Sequence, residues 1–268
     1  MVLDMLRGAK LKTERSARKL LLGTPLFFPL RSAYQGLFDR EKQVFRRRMC
    51  DFYRQFVRKG DLVFDVGANM GTYSEIFTQV GATVVAIEPN PKCCERLKKL
   101  ARVRRIMVEN CAAGDCAGVA TLRLCEESPL STLSDSWYEE VSKLPLHRHA
   151  RWIGKLQVPV KTLDSLAERY GVPRFVKIDV EGYEEPVLRG MSFRPEAFSV
   201  EFNFMVTEVV RRCLRMPIFS DRYDLNYVKD MNLRFESDRW MDSRELMSQL
   251  LGLQCDEEYG EVFARRIG

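Results

Sequence analysis

Four carboxylates stand at the ends of apolar runs in this chain. Asp65 closes Leu62-Val63-Phe64, Glu88 closes Val84-Val85-Ala86-Ile87, and Asp179 and Glu181 follow Phe175-Val176-Lys177-Ile178. After Asp65 comes Val66-Gly67-Ala68-Asn69-Met70-Gly71, a turn whose glycines let a ligand approach the main chain where a Cβ would block it. Glu88 lies roughly 20 residues past that turn, the separation at which an acid accepts both hydroxyls of a ribose. A dinucleotide turn needs G-x-G-x-x-G. Here only Gly67 and Gly71 are present, and no Gly-Lys-Ser/Thr follows them. Asp65 repels a pyrophosphate and suits a cation. S-adenosylmethionine carries an amino group, a sulfonium and a ribose, and no phosphate, so the residues read as a site for it. A buried glycine turn in an ordinary α/β domain uses the same residues and stays open as the alternative.

Regular elements must hold these acids. Tyr73, Ile76, Phe77 and Val80 recur at helical spacing, Gly81 closes that helix, and Thr83–Glu88 is a second strand, which makes a parallel strand–helix–strand unit. Asn90 and Pro91 fit the N-cap and first position of the next helix, and Arg105–Asn110 reads as a third strand. Residues 112–118 form a turn and Ala120–Cys125 alternates, which predicts a β-hairpin insertion. Leu156–Val160 is a short strand, and Thr162 caps a helix carrying Leu163, Leu166, Ala167 and Tyr170. The strand Phe175–Gly182 delivers Asp179 and Glu181 to its carboxyl end, the edge where open α/β sheets bind ligands. Ala197–Asn203 is a further strand. Tyr223–Val228 and Tyr259–Arg265 predict an antiparallel edge, with a capping box at Asp242–Glu245 between them.

The chain has 268 residues, 46% of them hydrophobic, with a net charge of +6. That supports a sizeable core and argues against wholesale disorder. Residues 1–60 hold 15 Lys and Arg against 5 Asp and Glu, so the remainder is net acidic. The reading is a basic helical extension, residues 1–59, ahead of the domain that carries the S-adenosylmethionine site, residues 60–268. The basic arm suits an anionic membrane surface, a nucleic acid or an acidic substrate, or is simply a solvated helix face. The apolar run Leu20–Leu30 is interrupted by Gly23, Pro25 and Pro29 and is too short to span a bilayer. It suits a peripheral contact through Phe27 and Phe28. Residues 38–58 read as a helix with Phe38, Phe45, Phe52 and Phe56 on its apolar side. Eight cysteines include no C-x-x-C pair and there are two histidines, so a zinc site has little support and no metal ligand is assigned, and the thiols read as reduced core filling in a cytoplasmic protein. Residues 126–156 hold Ser131-Thr132-Leu133, Trp137, Tyr138 and His147-Arg148-His149, and read either as a lid over the acceptor or as a surface excursion. Either histidine is open as a general base.

Val63–Gly71, Ala86-Ile87-Glu88-Pro89-Asn90, Asn110-Cys111-Ala112-Ala113-Gly114, Thr162-Leu163-Asp164-Ser165-Leu166 and Lys177-Ile178-Asp179-Val180-Glu181-Gly182-Tyr183-Glu184 together resemble the FkbM-type family of S-adenosylmethionine-dependent methyltransferases. The resemblance covers about residues 60–203. It implies a Rossmann-like, seven-stranded, doubly wound, mostly parallel sheet and methyl transfer to a hydroxyl oxygen of a small molecule, sugar or glycolipid. It implies that Asp65, Gly67, Asn69 and Gly71 cradle the amino-acid end and ribose, that Glu88 takes the ribose hydroxyls, and that Asn110, Cys111 and Ala112 flank the adenine. Asp179 and Glu181 would face the sulfonium and the acceptor. Asp179 is the first candidate for a base and Glu181 the second, and cofactor binding or helix capping is the open alternative for both. An RNA methyltransferase and a noncatalytic adenosyl-binding, membrane-associated protein are the other readings. DNA is not an expected partner. RNA is disfavoured because no aromatic–basic alternation is present.

Overall fold

The computed structural model describes residues 27–126, 130–144, 150–203, 207–219, 222–229, 232–252 and 259–267. The basic segment 1–22, the start of the Leu20–Leu30 run and His147-Arg148-His149 lie outside the described residues. The chain forms two compact units, residues 1–51 and 52–268. In the first, helix α1 (Phe27–Tyr53, whose last two residues belong to the second unit) is longer at its start than the expected 38–58 helix. At its far end the chain tightens into three-residue turns, with the amides of Gln55 and Phe56 bonding back to the Phe52 and Tyr53 carbonyls.

The second unit runs β1 (Leu62–Val66), α2 (Thr72–Val80), β2 (Thr83–Ile87), α3 (Pro91–Ala101), β3 (Ile106–Glu109), β4 (Ala112–Ala113), β5 (Gly118–Cys125), α4 (Asp135–Val141), β6 (Trp152–Lys161) and α5 (Leu163–Tyr170). It continues through β7 (Phe175–Ile178), α6 (Glu184–Arg189), β8 (Ala197–Asn203), α7 (Thr207–Leu214), β9 (Tyr223–Lys229), α8 (Ser243–Gly252) and β10 (Tyr259–Arg266). Seven strands make one sheet in the order β3-β2-β1-β7-β8-β10-β9. All its pairings are parallel except those of β10, which is antiparallel to β8 and β9. The chain winds outward from β1 through β2 and β3, then resumes on the other side of β1 at β7. The β1/β7 boundary is therefore the switch point at which such sheets open a ligand crevice.

The central strands are buried on both faces: Val63, Phe64, Val176, Ile178, Phe198 and Val200 are 0% exposed. Continuous apolar runs, rather than alternating ones, are what a covered parallel sheet demands. Below the crevice, Phe56 stacks on Phe175 and Phe263 at centroid distances of 5.7 and 5.2 Å, and Phe52 meets Phe263 edge-on at 5.3 Å. Each such ring contributes about 1.5–3 kcal/mol by burial.

A second sheet has the order β4-β6-β5, with β5 and β6 antiparallel. The insertion is there, but not as a local hairpin: Ala112-Ala113, read as part of a turn, form β4, and β5 finds its antiparallel partner in β6, beyond α4. β6 is longer than the Leu156–Val160 reading, because its outer half, Trp152–Lys155, is held by the ladder to β5 and is largely solvent-facing. No apolar alternation marks a strand segment that the core does not bury.

Candidate active site

The turn after β1 is fastened to its neighbours by the main chain. Gly67 and Ala68 donate to the Ile87 carbonyl at 2.9 and 3.2 Å, and Asp179 N donates to Val66 O at 3.0 Å. Gly67 has φ +80°, and a Cβ there would overlap the Asp179 carbonyl oxygen. Its side-chain-free geometry therefore serves the close approach of the β7 main chain, a cause the sequence reading had assigned to a ligand. Gly71, at φ +85°, starts α2, and a Cβ there would press on Leu97 and Leu100 of α3.

Asn69 occupies the left-handed region at φ 48° and donates its N–H to Glu88 Oε2 at 2.7 Å, while Asn90 N donates to Oε1 at 2.8 Å. Each Glu88 oxygen accepts one bond and keeps a second lone pair for a ribose hydroxyl. Burial pushes the Glu88 carboxyl up to about 7, against those two main-chain donors. Asp65 is buried beneath the turn and accepts from Ser74 Oγ at 2.5 Å. Burial raises it to about 6, while the Ser74 bond and the Lys177 charge pull the other way.

Asn110, Cys111 and Ala112 part company. Asn110 is exposed and its Nδ2 donates to the carbonyls of Glu88 and Pro89 at 3.0 and 3.1 Å, tying the ends of β2 and β3 together. Cys111 is 0% exposed in the main core, and Ala112 is buried under the second sheet.

The densest chemistry lies where β7, β8 and β10 run side by side. Lys177 pairs with Ser199 and Glu201 with Glu261 across the ladders, so an acidic row sits one step beyond a lysine. Lys177 Nζ lies 3.1 Å from Asp179 Oδ2, 3.6 Å from Glu201 Oε2 and 3.7 Å from Glu261 Oε1. The face of Tyr73 covers it at 4.2 Å, and Tyr53 donates to Glu261 Oε2 at 3.1 Å. Burial pulls the ammonium's pKa down, but the Asp179 and Glu261 charges outweigh it and hold the proton on.

Carboxylate oxygens of Asp179, Glu181 and Glu201 come within 4.8 Å of one another, a set that can hold a sulfonium or a divalent cation. The Asp179 and Glu201 side chains keep 22% and 26% exposure, so a ligand can reach them. Burial, then the Asp179 charge, drives both Glu181 and Glu201 well above the ordinary glutamate range. Glu184 is buried, raised to about 7 by that burial, and accepts from Gly182 N at 3.0 Å. The donor set fits S-adenosylmethionine: Glu88 for the ribose, and an excess of acids for two cationic groups.

Lys177, Glu201, Glu261, Tyr73 and Ser74 were not among the expected site residues. Lys177 carried a signal, since a lysine inside Phe175-Val176-Lys177-Ile178 must be buried and therefore paired. Glu201 stands after Val200 as Asp179 stands after Ile178. Glu261 enters only through the antiparallel register of β10. A cavity of about 200 Å³ lined in part by Phe56, Arg174, Glu196, Trp240 and Arg265 sits at the amino ends of β7 and β8, the end of the strands away from this chemistry.

Residues 65–221 match the family model of the methyltransferase FkbM domain. The hexuronic acid methyltransferase AglP of Haloferax volcanii is 31% identical over 153 residues, 56% of this chain and 56% of that protein, so the chain spans about half the length of this relative. Among solved structures, a putative rRNA-methylase from Clostridium thermocellum aligns over 82% of this chain and 93% of its own, at 10% identity and a TM-score of 0.43. A TehB-like SAM-dependent methyltransferase from Corynebacterium glutamicum aligns over 88% and 100%, at 9% identity and a TM-score of 0.41. Both are too distant to bear on chemistry. With more than half of its residues matched by that domain, the chain belongs to the FkbM methyltransferase family.

Proposed function

We propose that this protein transfers a methyl group from S-adenosylmethionine to a hydroxyl oxygen of a sugar, with a uronic-acid glycan as the first candidate acceptor. One observation carries the reading: Asp179 and Glu181 converge with Glu201 at the carboxyl end of β7, beside the Gly67 turn and in line with Glu88. When bound, S-adenosylmethionine supplies an electrophilic methyl on a positively charged sulfur. Glu88 holds the ribose, Asp65 and Asn69 fix the turn around it, and Asp179 with Glu181 orients the cationic end. Aligning donor and acceptor is the larger part of such a displacement. Asp179 then takes the acceptor's proton as the methyl arrives, with Lys177 holding Oδ2 at 3.1 Å and so setting the carboxylate's angle. Glu181 is the second candidate for that proton. Identity to the hexuronic acid methyltransferase supports the sugar class.

The test is incubation with methyl-labelled S-adenosylmethionine and glucuronic-acid oligosaccharides, neutral oligosaccharides or RNA. Label in an alkali-stable methyl ether of a sugar is the expected product. Alkali-labile label, a methyl ester on the carboxylate, contradicts the hydroxyl reading, and label in RNA contradicts the sugar class. Exposed Arg40, Arg47 and Arg48 of α1 also support a peripheral contact with an anionic membrane. Failure to float with anionic liposomes at low salt removes that part.

A further inference from the structure

The excursion between β5 and β6 reaches back to the active-site strand. Thr132 is anchored to β5 by two main-chain bonds with Arg123, at 2.8 and 3.1 Å, and its side chain is fully buried. Ser134 N donates to Thr132 Oγ1 at 2.8 Å, so the hydroxyl's own proton points elsewhere, to the Glu181 carbonyl at 2.6 Å. Ser134 also caps α4 through Trp137 N at 3.1 Å. That cap brings the Trp137 side chain against Gly182, where an added Cβ would fall inside it. Arg123 stiffens this platform, bonding Asp135 at 2.5 Å and lying 4.4 Å over the Tyr138 ring.

What the platform holds is unusual main chain. Glu181 and Gly182 are consecutive left-handed residues, at φ +54° and +87°. A glutamate adopts that conformation only where its surroundings over-determine it. The conformation keeps the Glu181 carboxylate with those of Asp179 and Glu201.

We propose that Thr132 and Trp137 are positioning residues that hold Glu181 in its left-handed conformation and so aim its carboxylate at the reacting groups. This rests on the reading of Glu181 as a group facing the sulfonium and acceptor. Released from the hydroxyl and the indole, Glu181 relaxes to negative φ and its side chain leaves the acidic group. The excursion is thus part of the catalytic geometry.

The test compares Thr132→Val, Thr132→Ser, Glu181→Gln and the Thr132→Val/Glu181→Gln double variant. Two readouts apply: turnover onto glucuronic-acid oligosaccharide, and protons released on titrating S-adenosylmethionine near pH 6.5, which needs no acceptor. Thr132→Val is expected to lower kcat about ten-fold with KM for the donor within about two-fold, and to reduce proton release as Glu181→Gln does. Thr132→Ser restores both. In the Glu181→Gln background, Thr132→Val adds little, since the two act as one unit. An undiminished effect there, or wild-type behaviour of Thr132→Val in both readouts, overturns the proposal while leaving the methyltransferase reading intact. Wild-type behaviour of Glu181→Gln in both readouts removes Glu181 from the reaction, and the proposal falls with it. Should Thr132→Val fail to fold, Trp137→Leu takes its place, with the same reduction expected and no change again overturning the proposal.

Discussion

The Lys177 ammonium sits 3.1 Å from Asp179 Oδ2, with no side-chain exposure. Glu201 and Glu261 lie within 3.7 Å on its other sides. One buried cation therefore offsets part of a row of acids that three strands bring together, and a cationic ligand beside the row favours the ionised form of the remaining acids. Lys177→Met keeps the stem's volume and removes the charge. Breaking a buried pair by deleting one partner costs about 3–5 kcal/mol. Denaturant unfolding should show a loss of that size, and a loss under about 1 kcal/mol would mean the carboxylates are not charged around Lys177.

Gly67→Ala tests the contact between the β1 turn and β7. A left-handed alanine costs about 1–3 kcal/mol, and overlap with the Asp179 carbonyl adds about 1–3 kcal/mol. The variant should lose stability and also S-adenosylmethionine affinity, because Asp179 must move. Unaltered binding calorimetry would show that the turn does not set the position of Asp179.

Much of this architecture was legible in the residues. Val63–Gly71 and Phe175–Gly182 announce buried parallel strands because apolar runs end in a glycine turn or an acid, and both strands meet at β1/β7. The antiparallel edge was readable from Tyr223–Val228 and Tyr259–Arg265. Less legible was anything that depends on register. Glu261 reaches Lys177 only because it lies opposite Glu201, and no local spacing encodes that pairing. Thr132 is 49 residues from the carbonyl it bonds. The family resemblance puts Cys111 beside the adenine, and its burial in the core was not legible from its neighbours in sequence.

Cofactor binding should depend on pH. Burial raises Glu88 from 4.5 to about 7 and Asp65 from 3.8 to about 6. The folded chain then holds protons that the unfolded chain releases, so these groups favour folding at low pH. Their contribution is lost as pH climbs from 3.8, where Asp65 begins to ionise in the unfolded chain, to about 7, and is constant above that. A cationic donor with ribose hydroxyls favours the ionised acids, so its binding expels protons and tightens as pH rises to about 7. Calorimetry in buffers of different ionisation enthalpy measures this directly. No proton release at pH 6, or weaker binding at pH 7 than at pH 5.5, would go against it.

Chelation addresses the Asp179, Glu181 and Glu201 set. Lys177 already lies 3.1 and 3.6 Å from two of these acids, which disfavours a dication there. Turnover after dialysis against EDTA should stay within about two-fold of its starting value. A loss that magnesium restores would instead make these carboxylates metal ligands.

Everything in the proposed reaction depends on where S-adenosylmethionine lies, and a structure of the protein with that cofactor bound measures it. Both ribose hydroxyls should fall within hydrogen-bond distance of Glu88, with the sulfonium methyl directed at the gap between Asp179 and Glu181. A cofactor seated away from the β1/β7 boundary, or bound with its sulfur remote from those two acids, would contradict the assignment.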